Sequence, residues 1–161
     1  MSTRGFYLER LKAEAPKFVS VIRAVPADGT HYRPHPRSRS AGELAWMLAE
    51  SMQAARELAD KGKVEWTDPK SEKGVAAAAD AIEAAQDSLA KRVASLKDDA
   101  WGREAQFLMG GKVMWKGALG EMLWEFLFDS IHHRGQLSTY IRPAGGKVPS
   151  IYGPSADDPG Q

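Results

Sequence analysis

Apolar side chains recur at helical spacing in four stretches of this 161-residue chain. An apolar side chain every three to four residues places one face of a helix against a core. The pattern predicts helices near residues 3–24, 41–61, 72–98 and 117–141. Four helices in a chain of one-domain size favour an all-α fold, an antiparallel four-helix bundle.

Local signals mark the ends of these helices. Ser40 and Glu43 have the spacing of a capping box at the start of the second helix, and Gly62 suits its end. Apolar residues on both sides of Gly110 and Gly111 predict a short β-hairpin between the third and fourth helices. We expect one domain over residues 1–161, with residues 145–161 as an extended tail.

Composition excludes several classes of function. Lys and Arg number 22 and Asp and Glu 21, so a formal net charge of +1 argues against a nucleic-acid partner. The absence of cysteine excludes disulfides, thiolate metal sites and a cysteine nucleophile. No apolar run approaches the length of a membrane span, and the amino-terminal residues do not resemble a signal peptide. We therefore expect a cytoplasmic protein with no membrane partner.

The fourth helix carries more apolar surface than one bundle seam can bury. Eight of the thirteen residues from Leu119 to Ile131 are apolar. One face must meet the core, and the opposite face, with Trp124, Phe128 and Ile131, needs the hairpin or a second subunit. The second possibility predicts a homodimer.

The same helix carries a stripe that we predict to face inward and that becomes polar along its length: Met122, Phe126, Asp129, His133, Gln136 and Tyr140. Asp129 and His133 are four residues apart, so their side chains lie one turn from each other. The pair suits a metal site or an acid–base site, and also a purely structural carboxylate–imidazole contact. Gly135 in the helix interior predicts a close approach of another helix.

A loop before the second helix is rich in cationic side chains. Residues 31–39 contain His31, His35, three arginines and two prolines. If this loop lies at the same end of the bundle as Asp129 and His133, it could hold an anionic substrate. A solvated loop with no ligand is the alternative.

Two segments resemble one known family. The segment FDSIHHRGQLSTYIRPAGGKVPSIYGPSADD, Phe128 to Asp158, is similar to the C-terminal signature of DinB-like proteins of the DinB/YfiT-like superfamily. The segment RSRSAGELAWMLAES, Arg37 to Ser51, resembles the second helix of that family. The resemblance implies an antiparallel four-helix bundle, often dimeric, with a divalent metal near one end. It also implies kinship with thiol-dependent transferases and isomerases.

Carried over by residue, the resemblance implies metal ligands at His133, at Asp129 where the family usually has histidine, and at Met47 where the family has the histidine of helix two. A thioether is poorly suited to Zn or Ni in a nitrogen and oxygen site. We therefore expect a degraded site with weak or absent Zn and Ni binding. Without metal, we expect Asp129 to accept a hydrogen bond from the imidazolium of His133.

Two functions follow from these observations. The first is a DinB-like enzyme, a thiol-dependent transferase or isomerase, with His132 or Tyr152 carrying a proton; the sequence does not indicate which thiol. The second is a metal-free dimeric module that binds a small apolar or anionic ligand or acts in a stress response. The intact HHRGQ motif favours the first, and Met47 favours the second.

Overall fold

The chain is mostly helical and carries one small sheet. A computed structural model describes residues 2–69 and 73–160. Within these ranges, five helices and three strands follow one another in the order α1 (Thr3–Arg23), α2 (Ala41–Lys61), β1 (Lys63–Trp66), α3 (Val75–Ser95), α4 (Asp98–Trp101), β2 (Glu104–Met109), β3 (Lys112–Ala118) and α5 (Leu119–Ile141). A single 3-10 turn, Ala27–Gly29, lies between α1 and α2. Within the described ranges, no helix is both long and apolar enough to cross a membrane.

The sequence places the four long helices within a few residues of their observed ends. The predicted start of the third helix, residue 72, lies outside the described residues, and that helix is described from Val75. Ser40 and Glu43 form the capping box at the start of α2: the Ser40 hydroxyl accepts from the Glu43 amide, and the Glu43 carboxylate accepts from the Ser40 amide. Gly62 ends α2 in the left-handed region with φ of 70°, where a side chain would be strained.

Each long helix packs against two others: α1 against α3 and α5, and α2 against α3 and α5. Arg4, near the start of α1, bonds the Val93 carbonyl near the end of α3, so these two helices are antiparallel. Trp46, near the start of α2, bonds the Lys73 carbonyl just before α3, and Arg56 bonds Ser88 in the second half of both helices. Helices α2 and α3 are therefore parallel.

Helices α1 and α5 also run in the same direction. Tyr7 packs on Trp124 near the start of both helices, and Glu14 pairs with Arg134 further along both. The prediction of a wholly antiparallel arrangement is therefore wrong for two of the four packed pairs. The reason lies in the connection from α2 to α3: its thirteen residues, 62–74, can span about 45 Å, more than the roughly 31 Å length of a 21-residue helix.

The β structure differs from the predicted hairpin. Strands β2 and β3 are antiparallel across Gly110 and Gly111, but β1, from the connection between α2 and α3, pairs in parallel with β2. The result is a three-stranded sheet in a mostly helical chain. The prediction that helices dominate is therefore confirmed, whereas the prediction of a purely helical fold with an isolated hairpin is wrong. Two short strands are marginal alone, and β1 supplies the third. The short helix α4 precedes β2 and was not predicted.

Candidate functional site

The structure brings Asp129 and His133 together on α5. Nε2 of His133 lies 3.4 Å from Oδ1 of Asp129, and Nδ1 lies 3.0 Å from Oε1 of Gln136. Both imidazole nitrogens therefore face oxygen atoms of their own helix. The Asp129 side chain is 62% exposed and that of His133 is 25% exposed, so the pair lies at the surface of the molecule.

The side of α5 that we predicted to face inward differs from the side that the structure buries by a rotation of about one residue. Of the six predicted residues, Met122 and Tyr140 are buried, whereas Asp129 is exposed and Phe126, His133 and Gln136 are only half-buried. The buried face of α5 also carries Leu123, Leu127, Ser130, Arg134, Leu137 and Ile141. A helix that is apolar nearly all round does not reveal which face meets the core. Gly135 is exposed with open space around it, so the close helix approach predicted there is also wrong.

The third position implied by the family resemblance, Met47, is buried in α2 with 6% of its surface exposed. It belongs to the core cluster that also contains Leu44 and Leu48. In the ranges 2–69 and 73–160, no three His, Asp or Glu side chains are grouped as metal ligands would be. One imidazole, one carboxylate and one thioether do not fit a Zn or Ni centre, which normally has at least three protein ligands of nitrogen, oxygen or thiolate type.

The two candidate proton carriers lie in different environments. The His132 ring is exposed and meets the His133 ring edge-on, with 5.0 Å between the ring centres. Tyr152 instead reaches α1: its hydroxyl donates to Oε2 of Glu14 at 2.7 Å and accepts from Nη2 of Arg134 at 2.6 Å. The Tyr152 hydroxyl is thus engaged with Glu14 and Arg134, while His132 adjoins His133.

The hydroxyl of Tyr152, in the C-terminal tail, bonds to a buried ion pair between α1 and α5. Nη1 of Arg134 donates to Oε2 of Glu14 at 2.5 Å, and their side chains are only 2% and 9% exposed. The Arg134 guanidinium also lies over the Phe18 ring, 4.7 Å from its centre. Burial opposes ionisation of Glu14, but hydrogen bonds from Arg134, Tyr152 and Lys17 outweigh it and lower the Glu14 pKa.

Sequence reasoning missed this ion pair, although a signal for it is present. Glu14 falls between Leu11 and Phe18 on the buried stripe of α1 that begins at Tyr7, with spacings of four, three and four. A carboxylate at such a position is costly unless it is paired. The stripe therefore requires a cationic partner from another element, and Arg134 supplies it.

The loop of residues 31–39, which we call the arginine-rich loop, contacts the same end of α5 as His133. The Tyr32 ring meets the Tyr140 ring edge-on at 5.7 Å, and the Tyr140 hydroxyl accepts a 3.3 Å hydrogen bond from Gln136. Two of the three arginines are paired with carboxylates: Arg33 with Glu43 at 3.4 Å and Arg39 with Asp68 at 2.8 Å. These ion pairs reduce the capacity of the loop to hold an anionic substrate.

A cleft opens beside Asp129, between the sheet and α5. Its volume is about 210 Å³, and its lining consists of Phe107 from β2, Trp115 from β3 and Glu125, Phe126 and Asp129 from α5. Phe107 and Trp115 are directly opposite each other across the two strands. The rings of Phe107 and Phe126 meet edge-on, with centres 6.0 Å apart. We call this space the aromatic cleft.

The geometry defines a class of protein: a helical domain with a small sheet and a polar cluster toward the end of its last helix. A family model for the DinB family matches residues 1–160, and the chain belongs to this family. The resemblance predicted from the sequence is thereby confirmed. None of the curated proteins compared with the chain matches it.

Two solved structures share the fold. A crystal structure of a DinB-like protein from Bacillus cereus has a TM-score of 0.74 and 16% identity, covering 91% of this chain and 95% of that chain. A DinB-like protein from Bacillus subtilis has a TM-score of 0.69 and 17% identity, covering 88% of this chain and 93% of that chain. At such identities, the likeness concerns the fold alone.

Proposed function

We propose that this DinB-family chain binds a small molecule in the aromatic cleft and does so without a metal at the Asp129–His133 position. The observation that carries the proposal is the cleft itself, which opens directly against Asp129 and has three aromatic walls. Clefts with apolar walls and a few polar groups at fixed positions are typical of ligand sites.

The donor set supports the metal-free part of the proposal. Asp129 and His133 are two ligands, and the position that would supply a third imidazole holds Met47 in the core. Gln136 contacts Nδ1 of His133, which leaves Nε2, beside Asp129, as the ring nitrogen that a metal could reach.

A second candidate is the thiol-dependent transferase or isomerase suggested by the family resemblance. It is favoured by His133 within the HHRGQ motif and by the neighbouring His132 ring, 5.0 Å away. In this candidate the degraded site retains a weakly held divalent metal, and His132 carries the proton. Tyr152 is less suited to that role, because its hydroxyl is bonded to Glu14 and Arg134.

Calorimetric titration with Zn and with Ni separates the two candidates. The proteins are the native chain without a histidine tag, the Met47→His variant, and Met47→His combined with His133→Ala. We expect weak or absent binding by the native chain, a gain in the single variant and its loss in the double variant. Stoichiometric tight binding by the native chain, abolished by His133→Ala, would instead favour the second candidate.

The ligand part of the proposal is tested separately by two-dimensional NMR of the native chain with a mixed library of neutral, anionic and cationic fragments. We expect saturable shifts confined to the Trp115 indole N–H and the amides of residues 125–129. Shifts confined to the arginine-rich loop, or none in the cleft with any fragment class, would contradict it.

Four predictions about the whole molecule belong with this proposal. We propose that the four long helices form one bundle, which their pairwise packing supports. We also propose a homodimer, supported by the exposure of Phe6 and Phe128, at 48% and 55%. A cytoplasmic location and a single domain over residues 1–161 stay predictions from the sequence.

A further inference from the structure

We propose that the ligand of the aromatic cleft is an organic cation, held by its alkylated ammonium group. This inference rests on the proposed function and adds the chemical class of the ligand. It stands on two independent features of the cleft, its three aromatic walls and the two carboxylates on its α5 side.

The aromatic walls come from three different elements. A register shift between Phe107 and Leu108 places Trp115 opposite Phe107, while Leu108 pairs with Val113. A bulge of this kind re-aims side chains, and bulges are frequent next to functional sites. Here it brings Phe107 and Trp115 to the side of the sheet that lies against Phe126 of α5. The negative faces of aromatic rings attract cations, most strongly at tryptophan.

The carboxylates of Glu125 and Asp129 lie on the same side of the cleft. They are four residues apart on α5, so they are neighbours of like charge, an arrangement that destabilises a helix slightly. In the described part of the chain, neither carboxylate is paired with a lysine or an arginine, and the His133 ring lies 3.4 Å from Asp129. A bound cation would relieve the repulsion between the two carboxylates.

The sheet does not supply a positive charge to balance Glu125 and Asp129. Lys116, which follows Trp115 on β3, points to the other side of the strand and pairs with Glu104 at 3.5 Å. An anionic ligand would meet two carboxylates in the cleft, and a neutral one would leave the charge uncompensated. Charge complementarity therefore selects a cation.

The size of the cleft limits what it can hold. A volume of about 210 Å³ is below the roughly 300–1,000 Å³ of pockets for whole drug-sized ligands. The cleft suits a head group such as a trimethylammonium or another small alkylammonium, with any remaining part of the ligand in solvent. A hydrated inorganic cation would gain little binding energy from three aromatic walls, because its water shell keeps it away from the ring faces.

The test is an NMR titration of the native chain with tetramethylammonium chloride, read at the Trp115 indole N–H. Neopentyl alcohol serves as the neutral probe of similar shape, and sodium chloride at equal ionic strength controls for screening. We expect saturable shifts with tetramethylammonium, at least fivefold weaker apparent binding of the alcohol, and no localised shift with sodium.

Variants assign the effect to the cleft. Glu125→Gln combined with Asp129→Asn should weaken tetramethylammonium binding by about fivefold or more, because two exposed charge contacts are lost. Trp115→Leu, read at the amides of residues 125–129, should weaken it by about two- to fivefold. Asp80→Asn combined with Glu83→Gln on α3 removes the same two charges elsewhere and should leave binding unchanged. Far-UV circular dichroism checks that each variant retains its helices.

Each outcome is decisive for the inference. Equal or tighter binding of the alcohol in the cleft would overturn the cation inference and leave the proposed ligand site standing. A tetramethylammonium effect that persists in the double carboxylate variant would also overturn it. If neither probe and no member of the fragment library shifts the cleft signals of the native chain, the proposed function is overturned as well.

Discussion

Arg134 is the largest side chain that the fold buries completely, and its charge is matched almost entirely by one carboxylate. Its guanidinium bonds Glu14 and Tyr152 and lies over two aromatic rings. Removing one partner of a buried ion pair leaves the other charged and desolvated, which costs far more than the pair itself contributes. The stability of the seam between α1 and α5 therefore depends on both residues together.

Arg134→Met should lower the free energy of unfolding by about 3 kcal/mol, near the lower end for such pairs because Lys17 still neutralises part of the Glu14 charge. Urea denaturation measures the change. Combining it with Glu14→Leu should restore most of the stability, since an apolar pair replaces the ion pair. A loss below 1 kcal/mol in the single variant would contradict the burial of an uncompensated charge.

The pKa of Glu14 also predicts how stability depends on pH. Its pKa is lower in the folded chain than in the unfolded chain, so the folded state favours the ionised form. This stabilisation is complete above the unfolded pKa, about 4.3–4.5, and is lost as pH falls through the lower folded value. The stability difference between the native chain and Glu14→Gln should therefore shrink below about pH 4, as urea denaturation at several pH values would show. A constant difference would disprove the linkage.

At the scale of elements, α5 has two glycines in opposite environments. A Cβ added at Gly120 would overlap the indole of Trp101 on α4, whereas one added at Gly135 would meet nothing. Gly120 therefore permits the close packing of α4 on α5. Gly135 has no packing role in the described part of the chain, contrary to the sequence prediction.

Gly120→Ala should destabilise the protein by about 1–3 kcal/mol, because Trp101 must move away from Tyr7. Gly135→Ala, in the same helix, should stabilise it by about 0.5–1 kcal/mol, since alanine loses less backbone entropy in a helix. Thermal unfolding of the two variants beside the native chain compares them. Equal effects of the two substitutions would show that packing on Trp101 does not decide the outcome.

The sequence predicted elements better than it predicted their faces. Helical spacing and the signals at Ser40, Glu43 and Gly62 depend on neighbouring residues, so they can be read locally. The pairing of β1 with β2 and the contact between Glu14 and Arg134 join distant parts of the chain. The buried stripe of α1 indicates that Glu14 needs a partner, but no local pattern identifies which residue that partner is. The rotation of α5 was misjudged because apolar residues surround it and its buried face includes a charged residue. Asp129 and His133 were brought together as predicted because their spacing is helical.

At the scale of the molecule, an apolar face lies across α1 and α5. Phe6 and Phe128 contact Trp124 from either side, with ring centres 5.6 Å and 5.3 Å from it. The hairpin strands do not serve as its cover: Phe107 of β2 packs on Phe126, on another face of α5. Phe6 covers part of Trp124, and Phe128 stays more than half exposed.

Phe128→Glu should convert a dimer to a monomer, because it places a charge at the centre of this face. Light scattering at high micromolar concentration measures the mass. Met114→Glu is a matched control: Met114 is 60% exposed on β3, and its substitution should leave the mass unchanged. A monomeric native chain would refute the dimer, and an equal effect of the control would refute this choice of face.

Two of the three partners of Glu14, Arg134 and Tyr152, become available late in the synthesis of the chain. Arg134 follows Glu14 by 120 residues, and Tyr152 comes 18 residues after Arg134. Synthesis delivers α1 first, and contacts between residues far apart in sequence form slowly. Every nascent chain that ends before residue 134 has Glu14 paired only with the partly exposed Lys17 of its own helix, on the face of α1 that is to become core. Final closure of the molecule therefore waits for its last helix and tail.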